Sequence, residues 1–423
     1  MAAIETAAKA AYPSLENSLL VALFLISNVF GSLLEPYLLK RYGLRGCVVV
    51  SAMIMAMGNL IKSGVPGYVG SSEAQIIVAF LVVGLSQPVF QITALVLAQD
   101  WFPTSERNLV TAVLVNSNYL GIGAAYILGA IMVGSDPDAI PAYMNAQTAA
   151  SAALFFLAAF FFKSKPPLPP SRSAAAKARK PPPLPRPITA YWSDAIKLLL
   201  SSRDFALTVS AFCASAAVSN VVAAEFSSLL EADADSSRAV STTSVAAAFE
   251  GFMVTGSLVV GWVVNRTHAY RSTALLLLGL TAAAATTAAA CLSAGEFTGF
   301  WCSLLLLGGA AGPIMPLQAD LGVEVVYPRD ENEVLFVNMI MANATSTAII
   351  WICFALRDVT AVAFLSSLYV LAGAAALVGI LFAALFRGQY NRLRYDLQGA
   401  VQQHDDESTA ARLSVDDVTA AAH

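Results

Sequence analysis

The sequence predicts an all-α membrane protein built from two helical half-bundles, and three observations carry that prediction. Of 423 residues, 57% are hydrophobic and only 12% are charged, with a mean hydropathy of +0.67. A soluble domain carries about 25% charged residues, so too little charge is present to cover a water-facing surface of this size. Long apolar runs then follow one another along the whole chain, and the charged loops between them repeat at a fixed offset.

The runs fall near 15–39, 46–64, 75–99, 108–133, 145–162, 205–228, 242–264, 272–293, 297–322, 334–356 and 361–386. A bilayer-crossing helix takes about 20 apolar residues. Lipid tolerates only helices or closed barrels, and these runs are too long and too continuously apolar for barrel strands. Stretches such as Gly121-x-Gly123-Ala124-Ala125 and Gly308-Gly309-Ala310-Ala311-Gly312 predict close helix packing. Pro313 and Pro316 predict a break in their helix. The expected domains are a five-helix half-bundle over 1–163, a linker over 164–203, a six-helix half-bundle over 204–387 and a tail over 388–423. The linker holds Pro166-Pro167-Leu168-Pro169-Pro170 and Pro181-Pro182-Pro183-Leu184-Pro185 and is expected to be extended or disordered. The polar, Asp/Ala-rich tail is expected to be disordered.

Charge sets the expected orientation. With the N-terminus outside and sides alternating through eleven spans, only Lys9, Lys62, Arg238 and Arg357 fall outside, which leaves 20 of the 24 Lys and Arg inside. Positive charge marks the cytoplasmic side, so the linker and C-terminus are expected in the cytoplasm, at the plasma membrane or an organelle membrane.

The repeat has an offset of 225. Leu39-Lys40-Arg41 with Arg45 is echoed by Val264-Asn265-Arg266 with Arg271, and Phe102-Pro103-Thr104-Ser105-Glu106 by Tyr327-Pro328-Arg329-Asp330-Glu331. Two parallel repeats joined by a linker are a transporter architecture. The counterpart of the span 205–228 would begin before residue 1, so the first half has five helices where the second has six. The expectation is a missing first helix through a truncated gene model.

Other chemistries lose support. Net charge −4 supplies no basic face for nucleic acid. Cys47, Cys213, Cys291, Cys302 and Cys353 form no CxxC pair and read as small core residues. His268, His404 and His423 assemble no metal site. No Walker lysine motif and no GxSxG is present, so neither an enzyme nor a bound cofactor is expected. The sequon-like Asn265-Arg266-Thr267 and Asn343-Ala344-Thr345 fall in a basic loop and a helix, where glycosylation is not expected.

The repeated loop resembles that of the major facilitator superfamily, G-x-L-x-D-R-x-G-R/K. It stands here as Leu38-Leu39-Lys40-Arg41-Tyr42-Gly43-Leu44-Arg45 and as Gly261-Trp262-Val263-Val264-Asn265-Arg266-Thr267. Lys40 and Asn265 replace the Asp, so the latch that Asp makes in relatives has no counterpart. Within that superfamily, Gln87-Pro88, Trp101-Phe102, Glu106-Arg107 and Asn118-Tyr119-Leu120-Gly121-Ile122 resemble the feline leukaemia virus subgroup C receptor family. So do Pro316-Leu317, Asp320, Glu324, Tyr327-Pro328 and Glu331, which follow its P-L-x-x-E-x-x-x-E-x-x-Y-P-x-x-E pattern with Asp at 320. The resemblance implies two helical halves moving by alternating access around a midplane site, a monomer in the lipid bilayer, and transport linked to choline or ethanolamine, or alternatively to heme. Its choline-contacting residues carry over poorly. An aromatic on the first helix has no counterpart, Gln positions fall at Tyr119 and Ala342, and a seventh-helix aromatic falls near Phe212.

The polar residues within the spans supply the remaining candidates. Asn118, Tyr119, Phe212, Asn220, Glu250 and Asn338 are the expected substrate-binding set, with Glu250 as a counter-charge or a proton-coupling group. For Glu250 the bland alternative is a protonated core residue, and for the amides (Gln91, Asn116 and Asn343 included) it is interhelical hydrogen bonding. Arg41, Arg45, Glu106, Arg107, Arg266, Asp320, Glu324 and Glu331 are the expected gating set. Asp320 and Glu324, four apart on one helix face, read equally as a structural bracket between halves. Glu35 and Glu225 lie towards span ends, where local capping is expected. Acids but no Lys or Arg lie deep within the spans, which favours a small amine cation over heme. The rival readings are a receptor-like or truncated protein without transport, and a membrane enzyme.

Overall fold

The computed structural model describes residues 4–63, 72–103, 106–170, 175, 187–232, 236–329, 331–359 and 363–395. These residues form α1 (Glu5–Ala11), α2 (Asn17–Ile61), α3 (Glu73–Trp101), α4 (Arg107–Met132), α5 (Ile140–Phe161), α6 (Ile188–Ser201), α7 (Arg203–Ala232), α8 (Ser236–Thr267), α9 (Tyr270–Ser293), α10 (Phe297–Ala311), α11 (Ile314–Val326), α12 (Glu331–Ala355) and α13 (Ala363–Leu385). Ten stretches among them are long and apolar enough to cross a membrane.

α2 carries two of the expected spans. Its 45 residues would extend about 68 Å if straight, twice a bilayer's hydrocarbon thickness. It bends instead at Gly43, whose φ of 70° and ψ of 170° are non-helical and suit a residue without Cβ. Both arms then lie on the same part of α3. A Cβ on Gly31 would meet the Leu85 carbonyl carbon at 3.1 Å, and one on Gly58 would meet the Val83 side chain at 2.7 Å. With α2 folded back on itself, the eleven apolar runs of the sequence are all helical spans.

The 225-residue repeat is visible in side-chain contacts. Arg45 donates from Nη2 to the Ala159 carbonyl at 2.9 Å, and Arg271 does the same to Ala383 at 3.1 Å. The backbone N–H groups of the two arginines donate to Ser164 Oγ and Tyr390 Oη. Gly84 packs on Phe24 and Ser27, and Gly309 packs on Phe252. Pro88 lies within the continuous helix α3 where Pro313, 225 residues on, caps the start of α11. The expected break at Pro313 is thus real, and it splits the apolar stretch Phe297–Val326 into α10 and α11.

α4 packs on α8 and α2 packs on α12, which forms the seam between the halves. At one end of the seam, Asn17 Nδ2 donates to the Ala223 carbonyl at 3.0 Å. At the other end, Thr111 Oγ1 donates to Asp320 Oδ1 at 3.4 Å.

Two expectations need correction. The end of the supposed extended linker is the helix α6, with Tyr191, Ala195 and Leu198 buried at helical spacing. Trp192 Nε1 of that helix donates to the Leu33 carbonyl at 3.1 Å. Close packing holds at Gly308 and Gly312 but not at Gly121, where an added Cβ would find no neighbouring atom within 4 Å.

Candidate functional site

A cavity of about 650 Å³ lies where the second arm of α2, α3, α4 and α5 face α7, α11 and α12. Its size is that of a small-molecule site. Phe90, Tyr119, Phe161, Phe162 and Phe212 contribute aromatic rings, Met55, Met315 and Met339 contribute thioethers, and Gln87, Gln91 and Asn118 contribute amides. Among the described residues, no Lys, Arg, His, Asp or Glu lines it. α5 contributes Leu154, Leu157 and Phe161, which are 53%, 53% and 74% exposed and look into the cavity rather than onto a neighbouring helix.

Tyr119 joins the two halves across this space. Its ring is buried and its hydroxyl donates to Met315 Sδ at 2.9 Å. Beside it, Gln87 Nε2 donates to Asn118 Oδ1 at 3.1 Å, which ties α3 to α4 on the cavity wall. The structure therefore brings together three of the expected substrate residues, Asn118, Tyr119 and Phe212.

The other three lie elsewhere. Asn220 donates from Nδ2 to Ser346 Oγ at 3.1 Å, an interhelical bond from α7 to α12 away from the lining. Glu250 is 3% exposed on α8 in the α4–α8 seam, its Cβ 3.5 Å from where a Cβ on Gly123 would stand. Its Oε2 has no hydrogen-bond partner among the described residues. Asn338 is fully buried behind the lining. The physical reason is common to all three: a helix in lipid is apolar on every side, so sequence does not say which face turns inward.

The expected gating residues cluster at one end of the bundle. Arg41 donates from Nη1 to Tyr37 Oη at 2.9 Å and lies over the Tyr42 ring. Arg45 caps the end of α5 as described, and the Arg266 guanidinium lies 4.3 Å from the centre of the Trp262 ring. Asp320 reaches across the seam to Thr111, as a bracket between halves would. Glu324 Oε2 accepts from the Leu393 N–H at 2.9 Å and so holds the segment after α13. Glu106 is exposed immediately before α4. The side chains of Arg107 and Glu331 lie outside the described residues. Glu225, expected to be capped locally, is 3.5 Å from Arg357.

Several lining residues escaped the sequence reading. Met55, Met315, Met339 and Phe90 are ordinary members of apolar runs, and only assembly of the halves places them together. Gln87 stood in a quoted motif without a role, and Gln318, which is buried and does not line the cavity, lies between Pro316 and Asp320 of the acidic motif.

Two half-bundles with a repeated fold, closed on a cavity at their seam, have the architecture of a multi-pass membrane transporter. The sequence profile of the Major Facilitator Superfamily matches residues 2–350, and the chain belongs to that superfamily. No curated protein matches it in sequence. Among solved structures it is similar to a D-xylose–proton symporter, with a TM-score of 0.66 at 13% identity over 90% of this chain and 94% of that one. It is also similar to the E. coli fucose:proton symporter, with a TM-score of 0.58 at 12% identity over 88% of this chain and 98% of that one. At such identities the likeness is one of fold.

Proposed function

We propose that this transporter moves a small amine of the choline or ethanolamine type through the cavity at the seam by alternating access. The supporting observation is the lining, in which aromatic faces surround a space without a charged side chain. An ammonium group over an aromatic face gains about 0.5–2 kcal/mol per ring once water is excluded. Tyr119 and Phe212 line the cavity from the two halves and would hold the cation there. Heme carries two propionates, and no Lys, Arg or His in the lining would meet them. Because the charged loops place 20 of 24 basic residues on one side, the linker and C-terminus belong in the cytosol under this reading.

Uptake of labelled choline, ethanolamine, a pentose and heme into proteoliposomes holding the full chain tests the assignment. Choline or ethanolamine should accumulate, and Tyr119→Ala should lower that uptake about tenfold at unchanged protein content. Uptake of heme or the pentose alone, or an indifferent Tyr119→Ala, overturns it.

A further inference from the structure

Behind the cavity wall two buried amides make no hydrogen bond. Gln318 on α11 and Asn338 on α12 are both 0% exposed. Neither the oxygen nor the nitrogen of either side-chain amide has a partner among the described residues. Buried polar atoms are almost always satisfied, and a group of four that is not points to a missing partner.

Helix register brings the two amides together. A Cβ on Gly322 would meet Val334 Cγ1 at 3.0 Å, the Phe205 ring at 3.4 Å and Thr208 Oγ1 at 3.5 Å, so α11, α12 and α7 converge at that level. Further along, Ser215 Oγ of α7 donates to the Ala311 carbonyl, so α7 rises in number as α11 and α10 fall. One helical turn inward from Gly322, Val334 and Thr208 therefore stand Gln318, Asn338 and Phe212. The cavity lies next to them. Met315 and Ala319 flank Gln318, Leu335 and Met339 flank Asn338, and all four line the cavity together with Phe212. The amides thus sit just behind its wall, beside the unbranched, flexible side chains of Met315 and Met339.

From this convergence we infer that Gln318 and Asn338 form a hydrogen-bonding subsite for a hydroxyl group of the transported solute, reached as the two methionines move aside. An amide presents donors and an acceptor, which complements a hydroxyl that both donates and accepts. It presents no charge, so the ammonium end of an amino alcohol stays on the aromatic lining while its hydroxyl takes the amides. Only the amine end of that picture rests on the function proposed above. A water molecule offers the same chemistry, and the experiment separates the two sources.

Dissociation constants are measured for the purified full chain with matched pairs: choline and ethyltrimethylammonium, ethanolamine and ethylamine, a pentose and its deoxy analogue. The wild type should prefer the hydroxylated member of at least one pair by about tenfold. Gln318→Met and Asn338→Leu should each erase that preference by weakening the hydroxylated member alone. Since both replacements remove unpaired polar atoms at similar volume, the variants should fold, which size-exclusion and Tm check. The wild-type preference is read without any variant, so a misfolded one leaves the test intact. No preference in any pair, or equal weakening of both members as expected for bound water, overturns the inference. Preference confined to the pentose pair leaves the subsite standing and removes the amine assignment.

Discussion

The two halves share one plan and differ most in the middle of each bundle. In the second half, α7 runs through the middle of its bundle and packs on α11, α12 and α13. In the first half, among the described residues, no helix occupies the corresponding position, and the faces of α3, α4 and α5 that would meet one look into the cavity. The consequence shows in the equivalent outer helices: 11% of the apolar stretch of α5 is buried, against 28% of that of α13, which packs on α7. α5 is open on two sides, with Phe156 and Phe160 on one and Leu157 and Phe161 on the other. Small residues bring the helices within backbone contact in both halves, as expected where lipid gives no hydrophobic drive between helices. One helix more or less therefore decides whether the middle of a half is a packed core or a cavity wall.

The equivalence of the halves is tested most severely at Gly31 and Gly256, 225 residues apart. Each presses its backbone against a neighbouring helix of its own half, at the Leu85 carbonyl of α3 and the Gly309 carbonyl of α10. Gly31→Leu and Gly256→Leu should each cost more than about 3 kcal/mol, because backbone cannot move aside as a side chain can. Neither variant should yield a monodisperse peak by fluorescence size-exclusion. Recovery of folded Gly31→Leu alone would show that the first half is loose enough to yield, and would break the equivalence.

A smaller effect is expected at the paired arginines. Arg45 and Arg271 each tie the chain after a half's basic loop to the end of that half's last span. Removing one such bond by Arg45→Met or Arg271→Met should cost about 1 kcal/mol and lower Tm by about 2 °C. The two losses should add in the double variant, since the sites share no partner. A larger loss at Arg45 than at Arg271 would sharpen the comparison, because α5 has less other packing to hold it.

What the sequence disclosed follows the same physics. All eleven spans were legible because apolar runs are bounded by charge, and the repeat was legible in loops that hold rare residues such as Arg41 and Arg266. The Gly31–Gly256 correspondence was not, since glycines are common in lipid-embedded helices. α6 was hidden by the prolines that precede it, which mask the spacing of Tyr191, Ala195 and Leu198. Of the candidate site, Asn118, Tyr119 and Phe212 reach the cavity. Glu250, Asn220 and Asn338 do not, because helices without a polar side carry no inward-facing signal. Gln318 was overshadowed by Asp320 and Glu324, whose charges are the conspicuous part of their motif.

The smallest effect probes the open face itself. Gly121 on α4 and Gly373 on α13 both have nothing within 4 Å of a Cβ position, so alanine fits at either without a clash. In water, replacing a helix-interior glycine by alanine gains about 0.5–1 kcal/mol, from lower chain entropy and a shielded backbone. In lipid the second part vanishes, so each variant should raise Tm by about 1 °C or less. The second half supplies the control: Gly373→Ala should behave so whatever covers the first half. If Gly121→Ala instead lowers Tm while Gly373→Ala does not, the extra methyl has met something. The cavity wall of the first half would then be packed against a helix in the membrane, and the two halves would be closer to equal than their described contacts make them.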